Sequence, residues 1–223
     1  MKTTLLLISL LCLAGCAGNE ASPASPGGWD ADPRPLGKTL VYECLGTDFV
    51  ARVGPGEMAI WLDDRYLVLS RLRDTRTISY QEADVIYEQR GAKVTLRAGG
   101  QTFPDCQQAP TRAPWEDARR RMVDFRAVGN EPGWHLEIQN GRQLLYVGDY
   151  GMQRVMTPDP GVTSEAGNAV YHAVTESSEL RVEIADRECV DTMKGESFPQ
   201  SVSLVVNGRA LDGCGMYLDH PWE

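Results

Sequence analysis

The chain is 223 residues long, 42% hydrophobic and 24% charged, with a net charge of −9 at pH 7. That acid excess argues against phosphate-rich partners such as nucleic acid, which need a positive field to be drawn in.

The chain opens on a signal-like segment. Lys2 supplies a positive start, and Leu5 to Leu13 form an apolar run too short to span a bilayer as a mature helix. Leu13-Ala14-Gly15-Cys16 then places a small-residue pair directly before a cysteine. This pattern resembles the lipobox of bacterial lipoproteins, which implies that residues 1–15 are a signal peptide and that Cys16 is the lipidation site. An ordinary secretory signal that contains a cysteine is the plainer alternative. One acyl chain anchors weakly and several anchor durably, so the resemblance implies a membrane partner through the lipid anchor. Ala17, not Asp, follows the cysteine; by the same resemblance the protein is sorted to the outer membrane, facing the periplasm. Residues 16–37 are rich in Ala, Gly, Ser and Pro, and such a segment has too little apolar surface to fold. It reads as a flexible linker spanning roughly 25 Å.

Residues 38–112 hold short apolar runs at 39–44, 48–53, 58–62, 66–70, 84–88 and 93–97, broken by Gly, Pro and Asp. Their near alternation and their Val, Ile, Leu and Tyr content predict strands of a small antiparallel barrel or sandwich. Residues 113–123 carry Pro114 near a helix start and acids before bases, which predicts a short linker helix. Strand patterning returns over 124–223, with runs at 124–129, 134–139, 142–148, 168–174, 179–185 and 201–206. Asn140-Gly141 and Asn207-Gly208 read as hairpin turns, the first as type I′, while 156–168 reads as a loop by composition. The predicted fold class is all-β: two small antiparallel β-barrel or sandwich domains joined by a short helical linker.

Cys12 leaves with the signal and Cys16 is assigned to lipid, so Cys44, Cys106, Cys189 and Cys214 remain. An even set in an exported chain reads as disulfides, with three possible connectivities. Pairing Cys44 with Cys106 and Cys189 with Cys214 keeps each bridge inside one folded unit. A metal site is the competing reading; it lacks a CxxC pair and a histidine near either cysteine, so no metal is expected. His135, His172 and His220 show no paired ligand spacing, and GxSxG, P-loop and GxGxxG motifs are absent from the sequence. The sequence predicts no enzyme and no cofactor. Charge is uneven: residues 38–112 hold ten basic and ten acidic side chains, whereas 119–223 hold ten and sixteen. Most of the acidity therefore lies on the second unit, where a solvated surface is its simplest use.

Val41-Tyr42-Glu43-Cys44, then Gly46-Thr47 and an apolar strand, with Cys106 at the far end, make residues 38–106 resemble one known family. It is the family of membrane-bound inhibitors of c-type lysozyme, whose opening motif is Y-x-C-x-G. The resemblance implies an eight-stranded antiparallel barrel that inserts two loops into the lysozyme cleft, where catalysis rests on a pair of carboxylates. One family loop carries a serine in S-x-S-G-A-x-Y and the other a lysine in F-W-x-K-G-x-E-A. Aligned on Tyr80, this chain has Arg76 at the serine position, with Thr75 and Thr77 beside it. Aligned on Gly91, it has Arg90 for the lysine, which keeps the charge and gains a planar fork suited to carboxylates. Glu88 replaces the family's tryptophan and would bring an acid towards the target's own acids. The resemblance thus implies Arg76, Thr77 and Arg90 as lysozyme contacts and a c-type lysozyme as the protein partner. The alternative is a non-enzymatic envelope binding module on the same scaffold that has lost lysozyme recognition.

Residues 124–217 resemble a different envelope domain that accompanies lipoproteins, through Phe125-Arg126-Ala127, Gly129 to Trp134, Cys189 with Asp191 and Met193, and Leu211 to Cys214. That resemblance implies no activity. Trp134 and His135 are candidate pocket residues, although a tryptophan at a strand start is more simply core.

Overall fold

The structure, a computed structural model, describes residues 37–73 and 76–220. The signal segment, Cys16 and nearly all of the linker lie outside the described residues, as do Asp74 and Thr75. The fold is all-β with one short helix, as the patterning predicts.

Strands β1 (Thr39–Cys44), β2 (Thr47–Gly54), β3 (Glu57–Leu62), β4 (Arg65–Arg71), β5 (Ile78–Glu82), β6 (Val85–Arg90), β7 (Lys93–Ala98) and β8 (Gln101–Gln108) pair antiparallel in chain order. Pairing of β1 with β8 through Tyr42–Gln108 and Glu43–Gln107 then closes a barrel. Alternation fills it: Met58, Ile60 and Leu62 of β3 and Val94, Leu96 and Ala98 of β7 point inward, where they meet Tyr42, Phe49, Leu69 and Tyr87. Each large apolar side chain buried this way contributes about 1.5–3 kcal/mol. Two of the eight strands, β5 and β8, have no counterpart among the predicted runs. Their burial is sparse, with only Ser79 and Tyr80 buried in β5 and only Cys106 in β8, so apolar alternation does not mark them.

Helix α1 (Ala113–Arg120) follows, three residues shorter than the predicted stretch. Pro114 and Glu116 sit in its first turn and Arg119 and Arg120 in its last, in line with the backbone dipole. It stops because Met122 takes a left-handed φ of 59°, which turns Val123 back into a cluster with Trp115, Ala118, Phe198 and Leu218.

The remaining strands are β9 (Phe125–Asn130), β10 (Gly133–Gln139), β11 (Gln143–Gly148), β12 (Gln153–Pro158), β13 (Val162–Glu165), β14 (Asn168–Val174), β15 (Glu179–Ala185), β16 (Cys189–Val190), β17 (Ser197–Phe198), β18 (Gln200–Val206) and β19 (Arg209–Tyr217). All but the β16–β17 pair join one curled nine-stranded sheet, in the order β12-β11-β10-β9-β19-β18-β15-β14-β13. The last strand, β19, fills the gap between β9 and β18, so the chain's end completes the sheet. The sheet curls around Phe125, Leu136, Ile138, Tyr146, Leu180, Val182 and Leu204. Trp134 belongs to this core, and it fits because Gly129 and Gly213 flank it: a Cβ at either would overlap the indole.

Two local expectations change. Residues 156–168 are not one loop: β12 runs through Pro158 and β13 pairs with β14 from Val162 to Glu165. All four residues of β13 are exposed, so this edge strand leaves no apolar signature; its ladder is supplemented by Arg181 donating to Glu165 (2.7 Å) and Thr163 to the Val170 carbonyl (3.2 Å). The Asn140-Gly141 turn is a hairpin but not type I′, since only Gly141 has positive φ. Tertiary acceptors set it, because Asp124 accepts from the Asn140 N–H (2.6 Å) and Asp159 from the Gly141 N–H (2.5 Å). At Asn207-Gly208 both residues have positive φ (51° and 81°), as type I′ requires.

Both disulfides form as paired in the sequence reading, Cys44–Cys106 and Cys189–Cys214. The barrel, the helix and the second sheet are joined by a chain of charges. Asp117 of α1 accepts from Thr39 (2.7 Å) and Arg52 (3.2 Å) on the barrel and from Arg121 (2.8 Å). Arg121 in turn donates twice to Glu137 of β10 (2.8 Å each), and Glu137 also accepts from Arg126 of β9. Arg120 lies over the Trp61 ring of β3 at 4.5 Å.

Candidate functional site

In an up-and-down barrel alternate connections share an end, so the β4–β5 and β6–β7 loops emerge side by side. Arg76 and Thr77 lie on the first of these loops; Arg90 ends β6 and Gly91 begins the second. Together with Glu88 they line one depression of about 550 Å³. All three residues inferred as contacts, Arg76, Thr77 and Arg90, are therefore brought to a single place. Cys16 lies outside the described residues.

The side chains divide by role. Arg76 and Arg90 are exposed and form no ion pair with any described residue. Thr77 is half-buried and its hydroxyl lies 2.8 Å from that of Ser79, which is itself buried at the start of β5. Glu88 is half-buried in the depression, and Arg97 of β7 donates to it at 2.8 Å. The acid expected to oppose an acidic target is thus matched by a cation, and the rim keeps two guanidinium groups that pair with no acid among the described residues.

A polar relay that the sequence did not reveal threads the otherwise apolar barrel core. Gln108 donates to the Tyr42 hydroxyl (3.2 Å), which lies 3.0 Å from the Tyr87 hydroxyl; Tyr87 donates to Gln89 Oε1 (3.1 Å). Gln89 Nε2 then donates to the Gly91 carbonyl at 3.0 Å, across the turn that carries Arg90. Burial, then the hydrogen bond with Tyr42, pushes the Tyr87 phenol far above its ordinary value, so it stays a neutral donor. Gly91 has a φ of 62° with open space around it, which allows the tight turn between β6 and β7. Gln89, Ser79 and Arg97 are the residues that sequence reasoning missed. The available signal was alternation, which puts Gln89 on the same face of β6 as Tyr87.

Two guanidiniums and a hydroxyl on one rim suit carboxylates: Arg presents a planar fork to an acid, and such hydrogen bonds are roughly twice as strong as neutral ones. Among the described residues no three His, Cys, Asp or Glu side chains gather as a metal site. Compared with known proteins, the chain matches no family model and no curated protein.

Proposed function

We propose that this chain is a lipid-anchored outer-membrane protein whose barrel blocks the active-site cleft of a c-type lysozyme. The observation that carries the reading is the convergence of Arg76, Thr77 and Arg90, from two neighbouring loops, on one 550 Å³ depression. Lysozyme chemistry needs a pair of carboxylates, and a rim whose two arginines pair with no described acid offers each of them a charge-assisted partner. Closure of the barrel and the Cys44–Cys106 bridge hold the strands that carry these residues, which favours binding by limiting the scaffold's entropy loss on docking. The lipobox resemblance of Leu13 to Cys16 supports attachment at the membrane face where such an inhibitor would guard peptidoglycan.

The deciding experiment is a titration of purified protein into a c-type lysozyme acting on peptidoglycan. Dose-dependent, stoichiometric loss of turnover supports the reading; full turnover at saturating protein refutes it. A second reading, favoured by Arg76 in place of the family's serine, is a binding module on the same scaffold that engages another anionic partner in the periplasm. It replaces the first if lysozyme is untouched while the Arg76 and Arg90 rim still binds an acidic protein.

A further inference from the structure

A second concavity, sharing no residue with the barrel depression, lies on the outer face of β9, β10 and β11 and encloses about 610 Å³. Strand alternation builds its floor. Phe125 and Ala127 enter the core, so Arg126, Val128 and Asn130 face outward; His135 stands opposite Val128, and Val147 opposite His135. Trp115 of α1 forms one wall, and the disulfide-held excursion with Asp191, Lys194 and Phe198 forms the other.

Arg126 is 7% exposed, and its hydrogen bonding is incomplete. Its Nη1 donates to Glu137, but that carboxylate already accepts two hydrogen bonds from Arg121, and with Asp117 the network sets two acids against the guanidiniums of Arg52, Arg121 and Arg126. Arg126 Nε is buried with no partner, and Nη2 has none among the described residues. A buried cation with unused donors is costly unless an acceptor reaches it. The rest of the floor is uncharged near that end: Val128, Val147 and the His135 ring, which burial, then the neighbouring Arg126 charge, pushes down to about 4. Asp191, Lys194 and Glu196 stand elsewhere on the lining, where two acids against one lysine leave a net negative charge that opposes a second carboxylate.

We infer that this groove binds a small monocarboxylate with an apolar body, its carboxylate on Arg126 and its body over Val128, Val147 and His135. The proposal is independent of the lysozyme reading and concerns a surface that reading leaves unused.

The test is calorimetric titration of the full chain with 4-phenylbutyrate and with 4-phenylbutyramide, its uncharged isostere. The acid should bind saturably and the amide about tenfold more weakly or worse, since charge-assisted hydrogen bonds are about twice as strong as neutral ones. Arg126→Gln should remove that preference. Because Arg126 also holds Glu137, Val147→Trp is the second variant; it fills the floor, leaves the ion network in place, and should abolish binding of the acid. Equal binding of acid and amide, no binding of either, or undiminished binding to a folded Val147→Trp protein would each overturn the proposal.

Discussion

Gln89 donates its side-chain amide to the carbonyl of Gly91 at 3.0 Å, and so braces the turn on which Arg90 is presented. Through Tyr87, Tyr42 and Gln108 the same relay reaches β8, on the far side of the barrel seam. The position of Arg90 is therefore fixed by the barrel interior as well as by its own strand.

Gln89→Ala removes that brace and leaves the Tyr87 hydroxyl without its acceptor. A hydrogen bond of this kind contributes about 0.5–1.5 kcal/mol, so inhibition should weaken roughly twofold to tenfold. The unsatisfied Tyr87 hydroxyl should also lower stability modestly, by about 1 kcal/mol. Parallel inhibition and melting measurements check this; a large loss of melting temperature with unchanged inhibition would contradict the bracing role.

Glu137 is 3% exposed and is held by both Arg121 and Arg126. Glu137→Gln would leave Arg126 without its acid and Arg121 with Asp117 alone, and should cost about 3–5 kcal/mol in denaturant unfolding, as for other broken buried ion pairs. The pH dependence has a definite sign. Burial raises the Glu137 pKa, but the hydrogen bond and charge of Arg121 and the charge of Arg126 outweigh it and hold the carboxyl below its ordinary 4.5. A depressed carboxyl stabilises the fold fully above its unfolded value and loses that contribution as pH falls through the lower folded value. The parent should therefore lose stability below about pH 4.5 more steeply than Glu137→Gln; equal slopes in urea titrations at pH 5 and pH 3 would contradict the assignment.

Cys16→Ala should move the protein from the membrane fraction to the soluble fraction and abolish fatty-acid labelling. Fractionation of cells expressing the two forms checks this, and unchanged attachment would remove the lipoprotein part of the account.

Much of the architecture was legible because burial in a thin β-layer imposes a period of two on the sequence. Met58-Ile60-Leu62 and Leu180-Val182-Ile184 announce their strands this way, and both align as read. Where burial fails the signal fails too: β13 is wholly exposed, and β8 buries only Cys106. Turn chemistry at Asn207-Gly208 was local and readable, while Asn140-Gly141 answers to Asp124 and Asp159, which are distant in sequence. The site was half legible. Arg76, Thr77 and Arg90 were inferred only through the family resemblance, but the Glu88–Arg97 pair and the Gln89 relay depend on which side chains meet across strands, which register decides.

The pairing of Glu88 with Arg97 makes a further distinction. If Glu88 opposed an acidic cleft directly, Glu88→Gln would tighten inhibition strongly. With its charge matched by Arg97, the substitution should change the inhibition constant by no more than about threefold, in keeping with the small worth of exposed charge pairs. Inhibition constants at low and moderate salt test this, and a tenfold gain would show that the acid is felt by the target.

The most direct test of the central claim is the inhibition constant of Arg90→Ala against a c-type lysozyme, measured beside the parent and Arg90→Lys. Removing one partner of a desolvated charge pair costs about 2–5 kcal/mol, so Arg90→Ala should inhibit roughly thirtyfold more weakly or worse. Arg90→Lys, which keeps the charge, should retain most of the inhibition. Equal inhibition by the parent and Arg90→Ala would contradict insertion of this loop into the cleft.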